Sequence, residues 1–163
     1  MAGREKIWIA AAGTVCALSL LVMGVVVFRH NQTPPFRPPA FDAAAQTGTP
    51  AVAEAYQWTS LEVTEGYTVS LCGKPTVEED QAVVYFTAPQ DNQVWVKLRL
   101  LSPTGEVLGE SGVVRNGEYV ERVTLTQTVT QDMPVVMQVV AYTPETWYSA
   151  GNVQLHATLG ITP

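Results

Sequence analysis

One uninterrupted apolar run, Ile7 to Phe28, constrains this chain more than any other feature of its sequence. It contains no charged residue, and its 22 residues would form a helix about 33 Å long. The hydrocarbon core of a bilayer is about 30 Å thick. The sequence therefore predicts a single transmembrane helix over residues 7–28, in contact with membrane lipid, after a short cytoplasmic N-terminus of residues 1–6.

The flanking charges indicate an orientation for that helix. Arg4 and Lys6 precede it, whereas Arg29 and the more distant Arg37 follow it. Because positive charge favours the cytoplasmic side, we expect a plasma-membrane protein with its C-terminal part outside the cytoplasm. A cleaved signal peptide is the alternative. Its apolar region would usually be shorter, with small residues directly after it, but the nearest small triplet, at 43–45, lies well downstream.

Proline marks the next segment, residues 29–55. It holds five of the chain's 11 prolines and shows no apolar period: Pro34, Pro35, Pro38, Pro39 and Pro50. Proline removes backbone donors and favours extended conformations, so this composition is typical of a flexible stalk. The stalk would join the membrane helix to a domain spanning residues 56–163.

The charge of that domain limits its partners. Residues 56–163 contain 5 Lys and Arg against 12 Asp and Glu, within a chain of formal net charge −6. A nucleic-acid binder needs a basic stripe to displace counterions from phosphates, so nucleic acid is not expected as a partner.

Alternation of apolar and polar residues predicts the fold of the domain. It is clearest over residues 93–100, 134–142 and 153–159, and turn residues separate such runs. Asn116-Gly117 is a strong signal for a tight hairpin. We expect an all-β, immunoglobulin- or fibronectin-like antiparallel β-sandwich of seven or eight strands. Cys72 is the single cysteine of the domain, so the cross-sheet disulfide of antibody domains cannot form.

Residues Gly105 to Val120, with strands before and after them, resemble membrane-tethered, immunoglobulin-like surface proteins of Gram-positive bacteria. The likeness lies in the turns and in the strand of alternating apolar residues that follows a glycine. It implies an extracytoplasmic binding or assembly module, and it supplies no catalytic residue.

Residues that could carry catalysis are sparse in the domain. His156 is its one histidine, and it lies on the expected outward face of the last strand. A positioned base beside a nucleophile, or a set of three to four metal ligands, is not evident. The acidic run Glu78-Glu79-Asp80 leaves calcium binding and a small hydrolase as alternatives. We expect no enzyme, no cofactor and no metal, and a buried apolar role for Cys72.

Aromatic side chains remain as candidate binding residues: Trp95, Trp147 and Tyr148. Trp95 shares a strand face with Lys97 and Arg99, which predicts partial exposure. Trp147 either projects from its loop as an anchor or folds back over one end of the sandwich. Exposed aromatic rings bind protein partners well and also stack on sugars. We therefore expect a non-catalytic protein-binding or surface-assembly role, with a carbohydrate-binding module as the alternative.

Overall fold

The computed structural model describes residues 22–23 and 36–161, and its folded part is all-β, as the alternation predicted. A short 3-10 turn, Glu54–Tyr56, precedes the long strands. The strands are β1 (Gln46–Thr47), β2 (Trp58–Val63), β3 (Tyr67–Cys72), β4 (Thr76–Glu78), β5 (Gln81–Ala88), β6 (Trp95–Leu101), β7 (Val107–Val114), β8 (Glu118–Thr124), β9 (Met133–Tyr142) and β10 (Ser149–Ile161).

These strands form one curled sheet with two antiparallel portions. The first portion has the order β7-β6-β9-β10, and the second joins β2, β3, β4, β5, β8 and β1. The two portions meet at a corner, where Gly160 and Ile161 of β10 pair in parallel with Thr76 and Val77 of β4. At another corner, a single bridge links Gly109 of β7 to Leu125, the residue after β8.

Inward-facing apolar residues of both portions make up one core. In β6 the buried positions alternate with half-buried ones along the whole strand, because successive side chains point to opposite faces. The same alternation shapes β9. Fully buried members of the core include Val69, Val84, Phe86, Val96, Leu98, Leu100, Leu108, Val114 and Val139.

The compact unit begins at Pro38, upstream of the expected boundary at Tyr56. Residues 38–48, here named the strap, run along the edges of β7 and β8. The Val113 N–H donates to Ala40 O at 2.9 Å, and the Asp42 N–H donates to Val113 O at 2.9 Å. Gln46 and Thr47 then pair with β8. This part of the expected stalk is therefore tied to the domain, since edge strands supply the backbone partners that a proline-rich composition does not reveal.

The prediction of a hairpin at Asn116-Gly117 is wrong. β7 pairs with β6, whereas β8 pairs with β5 and β1. Gly117 does take the left-handed conformation of a turn, with φ of 75°. However, its N–H donates to Ala88 O at 2.7 Å, and Asn116 Nδ2 donates to Asn92 O. These bonds, to the last residue of β5 and to the β5–β6 connection, turn the chain from one portion of the sheet to the other.

In the described part of the chain, residues 22–23 and 36–161, no helix has the length and apolarity needed to cross a membrane. The predicted transmembrane helix at residues 7–28 lies outside the described residues except for Val22 and Met23, which are helical.

Candidate functional site

Four aromatic rings from four different elements meet at one end of the β domain. Phe41 of the strap, Trp95 at the start of β6, Tyr142 at the end of β9 and Trp147 of the β9–β10 loop form this group, here named the aromatic cap. Ring centroids lie 4.9 Å apart for Phe41 and Trp95, and 5.0 Å apart for Trp95 and Trp147. Phe41 lies 5.5 Å and Tyr142 6.0 Å from Trp147. Tilted and edge-on aromatic packing of this kind stabilises the cap beyond simple area burial.

The loop that carries Trp147 is held in an unusual backbone conformation. Glu145 and Trp147 both have positive φ, 65° and 61°, a region that non-glycine residues rarely occupy. The Thr143 N–H donates to Tyr148 O at 2.8 Å, and the Trp147 N–H donates to Thr143 O at 2.9 Å. The loop thus points Trp147 back onto the cap and leaves the adjacent Tyr148 side chain in solvent, at 75% exposure.

A cation borders the cap. The Arg115 guanidinium lies 3.5 Å from the centre of the Phe41 ring, within the range of a cation–π contact. The same guanidinium lies 3.5 Å from a carboxylate oxygen of Glu118. Tyr148, Trp147 and Arg115 are therefore found around one end of the domain, and they are the residue types most common at binding hot spots.

The structure places the three residues named from the sequence in different settings. Trp95 is half-buried, and Trp147 is half-buried because it folds back over the end of the β domain. Tyr148 is the exposed one. Phe41 and Arg115 were not predicted for this site. Phe41 lies in a segment whose composition indicates a stalk. No local sequence pattern predicts that this segment packs against the domain.

A second group of aromatic side chains lies on the 3-10 turn, β2 and β5. Tyr85 sits in a bulge of β5 with φ of 42°, where the register against β8 shifts between Val83 and Phe86. Trp58 Nε1 donates to Tyr85 O at 3.0 Å, and the rings of Tyr56 and Tyr85 lie 5.6 Å apart. The half-buried Trp58 thus holds the bulge in place through this hydrogen bond.

The carboxylates of this region bind an arginine. Arg122 Nη1 donates to Glu78 at 2.6 Å, and Arg122 Nε donates to Glu121 at 3.2 Å. The Glu78 hydrogen bond is the main reason that the Arg122 pKa is raised. The Tyr56 hydroxyl also donates to Glu78, at 3.2 Å. Glu78 of the acidic run, at the end of β4, therefore forms an ion pair with Arg122 and accepts a hydrogen bond from Tyr56.

Cys72 and His156 differ sharply in their surroundings. The Cys72 thiol is fully buried, and burial raises its pKa to about 12. Such a thiol stays protonated at neutral pH and is a poor nucleophile. His156 lies on the exposed face of β10, as the alternation predicted. In the part of the chain that the structure describes, no three His, Cys, Asp or Glu side chains are grouped as metal ligands.

Comparison with known proteins adds no relative to this picture. The chain matches no protein-family model, and neither curated proteins nor solved structures contain a significant match. The resemblance to Gram-positive surface proteins therefore stays a prediction.

Proposed function

We propose that this chain is a single-pass membrane protein whose extracytoplasmic immunoglobulin-like sandwich binds another protein without catalysing a reaction. The observation that carries the binding role is the 75% exposure of Tyr148 beside the packed Trp147. A large ring fixed by its backbone and left in solvent loses little conformational entropy when a partner covers it. Arg115 at the rim of the cap adds a planar cation, which favours a protein partner.

The immunoglobulin-like part of the proposal is supported by the two antiparallel portions of the sheet. Four strands, β7, β6, β9 and β10, make up one portion, and the other is built mainly around β3, β5 and β8. The strap contacts the first portion at β7 and the second at β8. Inner faces of both portions share one core, which is the defining feature of a sandwich.

The location is supported by the sequence alone. The uncharged run at residues 7–28 suits a bilayer-spanning helix, and the charges before it favour a cytoplasmic N-terminus. In this proposal the plasma membrane holds the chain, residues 29–37 connect the anchor to the domain, and the partner approaches from outside the cytoplasm.

Carbohydrate binding is the competing proposal, and the geometry of the cap argues against it. Trp95 and Trp147 are inclined at 59° to each other and pack ring against ring. A sugar-stacking platform needs an open, flat aromatic face, whereas these rings already cover one another. Tyr148 alone remains free for stacking.

Site-specific photocrosslinking in the full-length chain tests the proposal. A photoreactive residue at Thr146, an exposed neighbour of Tyr148, should capture one discrete protein in the native membrane. The same residue at Gln127, exposed and next to Thr126 at the other end of the sheet, should not. Tyr148→Ala should lower the yield from position 146 at least about fivefold, and Tyr148→Phe should preserve it.

Three results would overturn the proposal. Equal capture from positions 146 and 127, or no capture from either, would contradict a protein-binding role for this end of the domain. Binding of the folded protein to a glycan array, abolished by Trp147→Ala, would assign the carbohydrate role instead.

A further inference from the structure

The outer edge of β10 is the longest unpaired backbone edge among the described residues that carries no charged side chain. β10 pairs with β9 from Ser149 to Leu159 on one side. On its other side, its strand pairing is confined to Gly160 and Ile161, which meet β4. The intervening stretch, residues 152–158, is here named the β10 window, and it contains neither a charged residue nor a proline.

Two hydrogen bonds fix which backbone groups point out of the window. The Gly160 N–H donates to Pro75 O at 2.9 Å, away from β9, and the Ile161 N–H donates to Asp132 Oδ1 at 3.0 Å, on the β9 side. Backbone direction alternates along a strand. The N–H and C=O groups at 152, 154, 156 and 158 therefore point outward, and no described residue pairs with them.

Natural edge strands are usually protected against association by lysine, proline, a bulge or a covering element. Residues 152–158 contain no lysine, no proline and no bulge. The register shift of β10 occurs between Ser149 and Asn152, at the boundary of the window. On the inner face, Val153, Leu155 and Ala157 are only partly buried. A second strand laid along this edge would cover them.

We propose that the β10 window pairs with the same window of a second copy of this chain, in antiparallel register centred on Leu155. The window is bounded by Gly151, against the Glu65 side chain, and by Gly160, bonded to Pro75. Leu155 lies at its midpoint. Centring the pairing there places Gln154 opposite His156 and Val153 opposite Ala157, so polar faces polar and apolar faces apolar.

Charges beside the window favour a second copy of the chain as the partner, paired in the antiparallel direction. Lys74 lies next to the window's end at His156 and Thr158, where they line a common depression. Glu65 lies next to the other end, where its Cγ would be 2.7 Å from a Cβ at Gly151. Antiparallel pairing of two copies brings Lys74 of each toward Glu65 of the other. A parallel arrangement would instead bring like charges together.

The rest of the domain supports the choice of a second copy at this edge. An excess of acidic residues over basic ones makes two domains repel across most of their surfaces. The uncharged window is where that repulsion is weakest. Seven residues of edge form a small interface, so the pairing is weak in solution and is strengthened when both copies share one membrane.

Sedimentation of the full-length chain in detergent, over a range of protein concentrations, tests the pairing. The wild-type chain should show a monomer–dimer equilibrium. His156→Lys places like charges beside the twofold axis on an exposed face and should raise the dissociation constant about tenfold. Gln127→Lys adds the same charge at an exposed site outside the window and should leave the constant unchanged.

A charge exchange separates this interface from any other contact between copies. Lys74→Glu and Glu65→Lys should each weaken the dimer, and the double variant should restore it to about the wild-type constant. A wild-type chain that stays monomeric would overturn the inference, as would a dimer indifferent to His156→Lys and to both single charge changes. Tyr148→Ala should leave the dimer intact, so loss of the proposed partner and loss of the dimer are distinguishable.

Discussion

At the scale of single residues, the buried side chain of Asn92 attaches the β5–β6 connection to β3. Asn92 is 5% exposed, and its side chain replaces a strand partner for Thr68. Asn92 Nδ2 donates to Thr68 O at 2.7 Å, while the Thr68 N–H donates to Asn92 Oδ1 at 2.9 Å. This pair of bonds uses both ends of the amide, so the position requires one donor and one acceptor.

Asn92→Asp tests that requirement because it changes one atom and little volume. The new carboxylate has no donor for Thr68 O, and burial of its charge is unfavourable. We expect a loss of about 1–3 kcal/mol in the free energy of unfolding, measured by denaturant titration. Gln93→Glu, at the exposed neighbour, serves as the control and should change it by less than about 0.5 kcal/mol. Equal effects of the two variants would contradict the role of Asn92.

The buried thiol of Cys72 predicts a loss of stability in alkali. Its pKa is about 12 in the folded chain against an ordinary value of 9.0, so above pH 9 the unfolded chain releases a proton that the folded chain retains. The contribution is fully present below about pH 9 and decreases by at most about 1.4 kcal/mol per pH unit toward pH 12. Cys72→Ala should remove this slope. If the stability–pH curves of the wild-type chain and Cys72→Ala ran parallel above pH 9, the pKa of the Cys72 thiol would not be raised by folding.

At the scale of elements, the strap depends on a close approach of two backbones. A Cβ added at Gly112 would lie 2.4 Å from Asp42 Cα and 2.8 Å from Phe41 C. The Gly112 N–H also donates to Asp42 Oδ2 at 2.6 Å. The strap therefore lies against β7 only because residue 112 has no side chain, and Phe41 reaches the aromatic cap through this contact.

Gly112→Ala should displace the strap from β7. The expected loss is about 1–3 kcal/mol in the free energy of unfolding, with faster proteolytic cleavage within residues 38–48. Gly160→Ala is the matched control, because a Cβ there meets its nearest atoms at 3.9 Å and should cost much less. Protease resistance in Gly112→Ala equal to that of the wild-type chain would mean that the strap tolerates the added methyl group.

The long strands were predictable from sequence, and the elements that depend on distant partners were not. Period-two alternation indicated β6, β9 and β10 because one face of each strand is more buried than the other: the inner face of β6 and most of that of β9 are buried, and the inner face of β10 is partly buried. The strap and the route of the chain at Gly117 escaped prediction, since both depend on bonds to residues far away in sequence. Exposure of Trp95 was partly inferable from its charged neighbours. The position of Trp147 followed from a left-handed backbone that its sequence does not signal.

At the scale of the whole molecule, the two features proposed for binding are separate from each other. The aromatic cap with Tyr148 lies at one end of the β domain, and the β10 window lies along one edge of the sheet. In the proposed function the first binds a different protein, and in the further inference the second joins two copies. In the proposed function, the domain is held at a membrane and lies outside the cytoplasm.

The most direct test of that account is cysteine labelling of the full-length chain in intact cells with a membrane-impermeant maleimide. Thr104→Cys, in the exposed turn between β6 and β7, should be labelled at once, and Gly3→Cys only after the membrane is permeabilised. The protein should be found in the membrane fraction. Before labelling, its mass should be 17.7 kDa, the mass of residues 1–163. Labelling at residue 3 but not at residue 104 in intact cells, or a mature chain that begins beyond Phe28, would contradict the account.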